Sequence, residues 1–205
     1  MGRFERNKKQ NSRFKYKNIM RIVAGVDEVG RGSLIGPVYA AAVILNKSID
    51  VSFLKDSKKL KKNEREILSK LIKRNSVWAI GRASVKEIEK MNILNASLLA
   101  MERALRKLKK KPTLVLIDGN KIPLMKNYKL IPIIKGDTKI PSISAASIIA
   151  KVSRDKQITK LSEKFRDYDW DKNFGYGTKH HLKAIRNLGI TSHHRRTFSP
   201  INKMK

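Results

Sequence analysis

At 205 residues and 40% hydrophobic composition, the chain is long enough for one ordinary domain with a buried core. Lys and Arg number 47 against 17 Asp and Glu, a net charge of +30. That is the footprint of a polyanion binder, nucleic acid foremost, although a genome rich in Ile, Lys and Asn codons would produce much of it without selection for binding. The absence of cysteine excludes a disulfide framework and thiolate metal sites, no apolar run approaches the roughly 18 residues of a membrane span, and no signal peptide opens the chain, so a cytoplasmic protein is expected.

Residues 1–20, MGRFERNKKQNSRFKYKNIM, are basic, with Glu5 as their acid, and show no sustained period. They read as a mobile, solvated tail with a non-specific role on phosphate. From Arg21 to Lys205 a single domain is expected. Arg21–Asp27 reads as a buried strand and Pro37–Asn46 as a second. Leu60, Ile67, Leu68, Leu71 and Ile72 form a helical stripe, and Ser76–Val85 alternates as a third strand. Leu94, Leu98, Met101, Leu105 and Leu108 recur at amphipathic-helix spacing. The cations of RKLKKK then meet the negative end of the helix dipole, and Pro112 stops the helix. Thr113–Asp118 and Leu130–Ile134 are short strands. Ser142–Lys156 is a helix whose Ala145, Ala146, Ser147 and Ala150 permit close packing. Asp155 to Arg186 reads as helical with a break at Asn173–Gly177. This order describes an α/β domain with five strands and a helical C-terminal region.

Acids are scarce, so their placement is informative. Asp27-Glu28 closes the first strand. Asp118 closes TLVLID and is followed by Gly119-Asn120. Asp137 follows LIPII in Lys135-Gly136-Asp137-Thr138. Ligand sites in sheets with helical crossovers gather at the C-terminal strand ends. Carboxylates meeting there repel, and a cation relieves the repulsion. Oxygen ligands without cysteine select Mg²⁺ or Mn²⁺. Taken singly, each acid also fits a turn or a helix entry. Adjacent strand residues face opposite sides, so Asp27 and Glu28 share a site only where the strand ends or bends; Gly30 and Gly32 supply the freedom to bend.

Gly30-Arg31-Gly32-Ser33-Leu34-Ile35-Gly36 differs from a dinucleotide fingerprint by one residue, and Gly36-Pro37 leads into strand formers rather than a helix. A hairpin is expected there, with open backbone groups and Arg31 as a cation suited to phosphate. Of the histidines, His180-His181 and His193-His194 are neighbours that diverge on a helix. They suit packing, capping or phosphate contact better than a metal.

GVDEVGRGSLIGPV resembles the first signature of bacterial ribonuclease HII, a family that nicks DNA at embedded ribonucleotides. The resemblance continues through DSKKL (Asp56–Leu60), NILNASLLAMERAL (Asn92–Leu105), LIDGN (Leu116–Asn120), KGDTKIPSISAASIIAKVSRD (Lys135–Asp155), GYGTKHH (Gly175–His181) and HHRRTF (His193–Phe198). These stretches lie in family order and cover nearly everything from Arg21 to Pro200. The implied fold is ribonuclease H-like, a mixed five-stranded sheet flanked by helices. Asp27, Glu28, Asp118 and Asp137 match the family's catalytic, metal-holding carboxylates. Gly30, Arg31 and Gly32 match its Gly-Arg-Gly loop, and Tyr176 matches the tyrosine that works with that loop on the ribose. Ser33 stands where proline is frequent. Phe174 stands where lysine is frequent, which bears on a phosphate contact.

The implied activity is hydrolysis of the RNA strand of RNA–DNA hybrids and nicking of DNA 5′ of a ribonucleotide, leaving 3′-hydroxyl and 5′-phosphate ends. Two ions, Mn²⁺ or Mg²⁺, about 4 Å apart would activate water and stabilise the leaving oxygen. Lys58, Lys59 and the basic C-terminal segment would grip phosphates. The enzyme is expected to be a monomer with no membrane association. The competing expectation is a non-catalytic basic RNA-binding protein, which explains the charge but not acids at strand ends.

Overall fold

The computed structural model describes residues 21–54 and 60–204. The basic segment 1–20, and Lys58 and Lys59, lie outside the described residues. The apolar runs form five strands: β1 (Val23–Val29), β2 (Val38–Ile44), β3 (Val77–Ala83), β4 (Leu114–Asp118) and β5 (Leu130–Ile133). They make one sheet in the order β3-β2-β1-β4-β5. β1, β2 and β3 are an antiparallel meander, whereas β4 pairs parallel with β1, and β5 parallel with β4. The mixed five-stranded sheet and the β1–β2 hairpin through Gly30–Gly36 match expectation.

Helices cover both faces. They are α1 (Lys62–Asn75), α2 (Val85–Arg106), α3 (Gly136–Lys139), α4 (Pro141–Ser162), α5 (Trp170–Asn173) and α6 (Lys179–Leu188). On one face, Ala96, Ala100 and Ala104 of α2 pack on Ala24, Val26, Ala40, Val115 and Ile117. On the other, Ala145, Ala146 and Ile149 of α4, with Leu68 and Ile72 of α1, pack on Ala41 and Val43. Two-sided burial explains why β2 is apolar throughout rather than alternating. Small residues let the helices sit close. A Cβ on Gly25 would run into the backbone of Ser142 and Ile143, so the start of α4 rests directly on β1. That contact brings α4 alongside the carboxylates two residues further along the strand.

Three boundaries differ from expectation. β1 does not end at Asp27: it stays paired with β2 as far as Val29 opposite Tyr39, and the chain bends at Gly30, whose φ is +89°. α2 begins well before Leu94, because Ser84 accepts from the Glu87 N–H at 3.3 Å while Glu87 accepts from the Ser84 N–H at 2.8 Å. That capping box turns the end of the third apolar run into a helix start, and Asn92, with φ 68°, kinks the helix. α4 runs on to Ser162, after which the C-terminal region is a 3-10 turn at Arg166–Tyr168, the short α5 and then α6.

A third apolar cluster joins this region to the β1–β2 connection: Leu34 and Ile35 pack with Ile158, Tyr168, Trp170 and Ile185. Trp170 and Ile35 are fully buried. At about 1.5–3 kcal/mol per fully buried large side chain, the loop after β1 is anchored rather than free.

Candidate active site

The last registered pair between β1 and β4 is Val26 with Ile117, so Asp27 and Asp118 are the next residue on each of two parallel neighbours. Asp27 is 5% exposed and lies on the face covered by α4, where the Ser147 side chain hydrogen-bonds it. Its Oδ1 also accepts the N–H of Glu28 at 2.7 Å. Burial raises its pKa well above the usual carboxylate range, and the charges of Glu28 and Asp118 raise it further.

Glu28 lies on the opposite face by strand alternation, yet Asp118 acts on it too. The topology explains this. β4 stops at Asp118 while β1 continues with β2 alone, so beside Glu28 the sheet has no strand on the β4 side. Side chains from both faces of β1 reach that space. Burial raises the Glu28 pKa, opposed by Arg31, whose Nη1 donates to Glu28 Oε1 at 3.2 Å.

Asp118 is fixed by the turn after β5. Lys135 adopts φ 55°, and the N–H groups of Gly136 and Asp137 then donate to Asp118 Oδ1 at 2.7 and 3.4 Å. Asp137 is therefore adjacent to Asp118 through its backbone. It is itself buried, beside Leu54 and Ser144.

Asp27, Glu28 and Asp118 are thus electrostatically coupled, with Asp137 one turn away. Among the described residues, no group of three or more His, Cys, Asp or Glu side chains stands ready to hold a metal ion. The donor chemistry nevertheless fits a hard divalent cation: the groups are oxygen-only, Asp27 and Asp137 are buried and Glu28 and Asp118 half-buried, and the charges of Glu28 and Asp118 oppose that of Asp27, a cost a cation relieves. The fit is one of donor type and placement, without preset coordination.

The Gly-Arg-Gly loop lies beside this cluster. Arg31 and Gly32 are exposed, whereas Ser33 to Gly36 are buried. A Cβ on Gly30 would collide with the guanidinium of Arg154, a fully buried residue of α4. Arg154 donates to Ser33 Oγ at 2.7 Å and to the Phe174 carbonyl at 3.1 Å, and Ser33 Oγ lies 3.1 Å from the Gly175 carbonyl. The Leu34 N–H donates to the Gly175 carbonyl at 2.8 Å. Ser33, which stands where proline is frequent in the resembled family, is therefore a buried link between the loop and the Gly175-Tyr176 turn. A Cβ on Gly32 would stand 3.9 Å from the Tyr176 ring, so the loop and Tyr176 are neighbours as expected.

Phe174 is half-buried in the third cluster, with the Lys151 ammonium 5.0 Å from its ring centroid. A cation therefore stands at this position, supplied by α4. Of the histidines, His181 and His194 are buried against each other, His193 packs edge-on to Phe165, and His180 is exposed. Of the expected roles of packing, capping or phosphate contact, His181, His193 and His194 take packing, while His180 stands at the surface near Asp169.

Sequence reasoning missed Ser147, Arg154 and Arg195. Arg195, fully buried, donates from Nη1 to the Arg31 carbonyl and from Nε to the Gly36 carbonyl, both at 2.9 Å. In so basic a chain, nothing local distinguishes a buried arginine from the many exposed ones.

The family model described as Ribonuclease HII matches residues 24–201. The chain is 74% identical over 185 residues to the ribonuclease HII of Pelagibacter ubique (strain HTCC1062), covering 90% of this chain and all of that protein. Among solved structures, it matches ribonuclease H2 from Pyrococcus horikoshii OT3 at TM-score 0.74 and 29% identity, over 89% of this chain and 96% of that one. The fold also matches Bst-RNase HIII in complex with Mn²⁺ at TM-score 0.63 and 16% identity, over 89% of this chain and 68% of that one. With carboxylates converging at the strand ends and a sequence matched almost end to end, this chain belongs to the bacterial ribonuclease HII family of ribonuclease H hydrolases, endoribonucleases of RNA–DNA hybrids.

Proposed function

We propose that this hydrolase nicks duplex DNA on the 5′ side of an embedded ribonucleotide, as well as cutting the RNA strand of hybrids, and leaves 3′-hydroxyl and 5′-phosphate ends. The observation that carries the reading is the adjacency of two devices: Asp27, Glu28 and Asp118 at the end of β4, and Gly30–Gly32 beside Tyr176. The first suits phosphodiester hydrolysis and the second suits recognition of one sugar.

Divalent ions, Mg²⁺ or Mn²⁺, would neutralise charge at the phosphate and make a water more acidic. Asp27, Glu28, Asp118 and Asp137 would hold them; the fold neighbour Bst-RNase HIII was solved in complex with Mn²⁺. Ser147 orients the Asp27 carboxyl, and the Gly136 N–H orients that of Asp118. Asp137 is assigned to proton movement at its carboxyl.

Among the described residues, no acceptor takes the N–H of Arg31 or Gly32, while the Arg31 carbonyl is turned toward Arg195. The loop therefore offers outward donors to a 2′-hydroxyl, which DNA lacks. The Tyr176 ring is placed to stack on the adjoining sugar. Arg31, Lys58, Lys59, the 1–20 segment and the basic C-terminal segment add phosphate contacts. We place the enzyme in the cytoplasm as a monomer; among the described residues, no helix is long and apolar enough to cross a membrane. A non-catalytic RNA-binding role would not need three coupled acids in the path of phosphate.

The test is a nicking assay on a DNA duplex with one ribonucleotide, comparing Mg²⁺, Mn²⁺ and a chelator. Metal-dependent cleavage 5′ of the ribonucleotide is expected. Cleavage that persists in chelator, or binding without cleavage, would sink the reading.

A further inference from the structure

The segment around His194 touches both halves of the ribose-reading site. Its backbone forms an antiparallel bridge between His194 and Ile35, with the Gly36 N–H donating to the His193 carbonyl and the Arg195 N–H to the Leu34 carbonyl, each at 2.8 Å. From here the two side chains go separate ways. The Arg195 guanidinium holds the carbonyls of Arg31 and Gly36. The His194 imidazole meets His181, which bonds the turn that carries Tyr176.

That second path has one consistent set of proton positions. His194 Nδ1 accepts the Thr191 N–H at 2.9 Å, so its proton is on Nε2, which stands 3.3 Å from His181 Nε2. His181 Nε2 is an acceptor, because it also takes the Trp170 indole N–H at 2.9 Å. The His181 proton is therefore on Nδ1, which donates to the Tyr176 carbonyl at 2.9 Å. These tautomers follow from the Thr191 N–H, the Trp170 indole N–H and the Tyr176 carbonyl, each of which allows only one role. Burial lowers the pKa of both rings, that of His194 to about 4, so both are neutral near pH 7.

Packing alone does not account for this arrangement. Arg195 is fully buried and its Nη2 meets no partner among the described residues; Arg154 is fully buried with its Nε likewise unpartnered. Neither forms a salt bridge with a carboxylate among the described residues. Burial and the like charge of Arg154 lower the Arg195 pKa to about 9, which still leaves it a cation. Buried cations held by neutral carbonyl and hydroxyl oxygens, without a carboxylate, are costly, and such exceptions concentrate at functional sites.

We infer that His194 and Arg195 are positioning residues that act as one brace: Arg195 fixes the Gly-Arg-Gly loop, and His194, through His181, fixes Tyr176. The two readers of the ribose thereby keep a constant spacing. The inference rests on the ribose-reading role proposed above for those two elements. The brace acts on recognition of a lone ribonucleotide, where one loop and one ring must both engage, more than on a run of ribonucleotides that offers alternative registers.

The test compares wild type, His194→Ala, His194→Gln and Arg195→Lys on a duplex with one ribonucleotide and on a duplex with a run of them. His194→Ala is expected to lose about tenfold more kcat/KM on the single ribonucleotide than on the run, the scale of one lost hydrogen bond. His194→Gln, whose amide still donates to His181, is expected to stay within about threefold of wild type on both. Arg195→Lys keeps the charge but not the two-carbonyl grip. It is expected to lose selectivity as His194→Ala does, and carries the same comparison where alanine unfolds the chain. Equal losses on both substrates, or a glutamine variant no better than alanine, would overturn the brace.

Hydrogen exchange reads the brace without activity. In His194→Ala the Leu34, Gly36 and Tyr176 amides should exchange faster while those of β1 and β2 do not change; unaltered exchange at these amides also overturns it. A wild type that cuts neither substrate would defeat the proposed function, and exchange would still decide the brace.

Discussion

Asp27 and Asp118 lie one register step past Val26 and Ile117, the last paired residues of two parallel strands, and the Asp118 charge adds to the cost of burying the Asp27 carboxylate. Hydrogen bonds from Ser147 and the Glu28 N–H offset only part of that cost at Asp27. The folded protein therefore keeps a repulsive cluster that a divalent cation would stabilise.

Asp27→Asn and Asp118→Asn should each lower cleavage by at least about 10³-fold while leaving hybrid binding intact, as gel shift alongside the nicking assay would show. Asp27→Asn should also raise the melting temperature in chelator at pH 7–8, because it removes a buried charge opposed by Glu28 and Asp118. Adding Mn²⁺ should stabilise wild type, by about 2.7 kcal/mol at a concentration one hundred times Kd, and Asp27→Asn much less. A variant less stable than wild type in chelator would contradict the account of the cluster.

Gly30 combines φ +89° with a path blocked by the buried Arg154 side chain, so Gly30→Ala adds left-handed strain to a clash with that guanidinium. We expect a loss of about 2 kcal/mol or more in denaturant unfolding, and a larger fractional loss on single-ribonucleotide substrates than on hybrids. Gly119 also has positive φ, at +93°, but a Cβ there meets nothing within 4 Å; Gly119→Ala should cost only about 1 kcal/mol.

Tyr176→Phe should retain most activity if the ring stacks on a sugar, since the hydroxyl is not needed for stacking. Tyr176→Ala should lose about tenfold or more on a duplex with one ribonucleotide. Steady-state kinetics on both substrates check this. Equal losses for phenylalanine and alanine would show that the hydroxyl, not the ring, is at work.

His194 has a folded pKa of about 4 against an unfolded value near 6.5. The unfolded chain binds the extra proton first, so the stability contributed by the neutral ring is fully present above about pH 6.5 and is lost as pH falls toward 4. His181 shifts in the same direction and adds to the loss. Groups facing the pair include His193, Tyr168 and Trp170, with the cationic Arg195 next in sequence. Urea midpoints measured from pH 7.5 to 4.5 should fall, and His194→Gln should flatten part of the fall.

Much of this was legible in the chain itself. Apolar runs ending in acids marked β1 and β4, because a buried strand tolerates a carboxylate only where it leaves the core. The Gly-Arg-Gly stretch stood out because glycines there free the backbone for a ligand, whereas Tyr176 was singled out by the resemblance to ribonuclease HII. The start of α2 was hidden, since Ser84 and Glu87 signal a helix only when read as a pair, and the Val77–Ala83 run favoured extending the strand through Ser84 to Val85.

Sequence alone thus determined the order of strands and helices, the acids that gather at the sheet edge, and the polyanion for which the charge is suited, because periodicity, composition and local motifs are properties of neighbours along the chain. Only the tertiary structure decided that Glu28 shares space with Asp27 and Asp118, since that depends on β4 stopping where β1 continues. It also decided that Arg154 and Arg195 are buried and that His181 meets His194. Those relations join Ser33 to Phe174 and Gly175, and Arg31 to Arg195, across separations that no local pattern encodes.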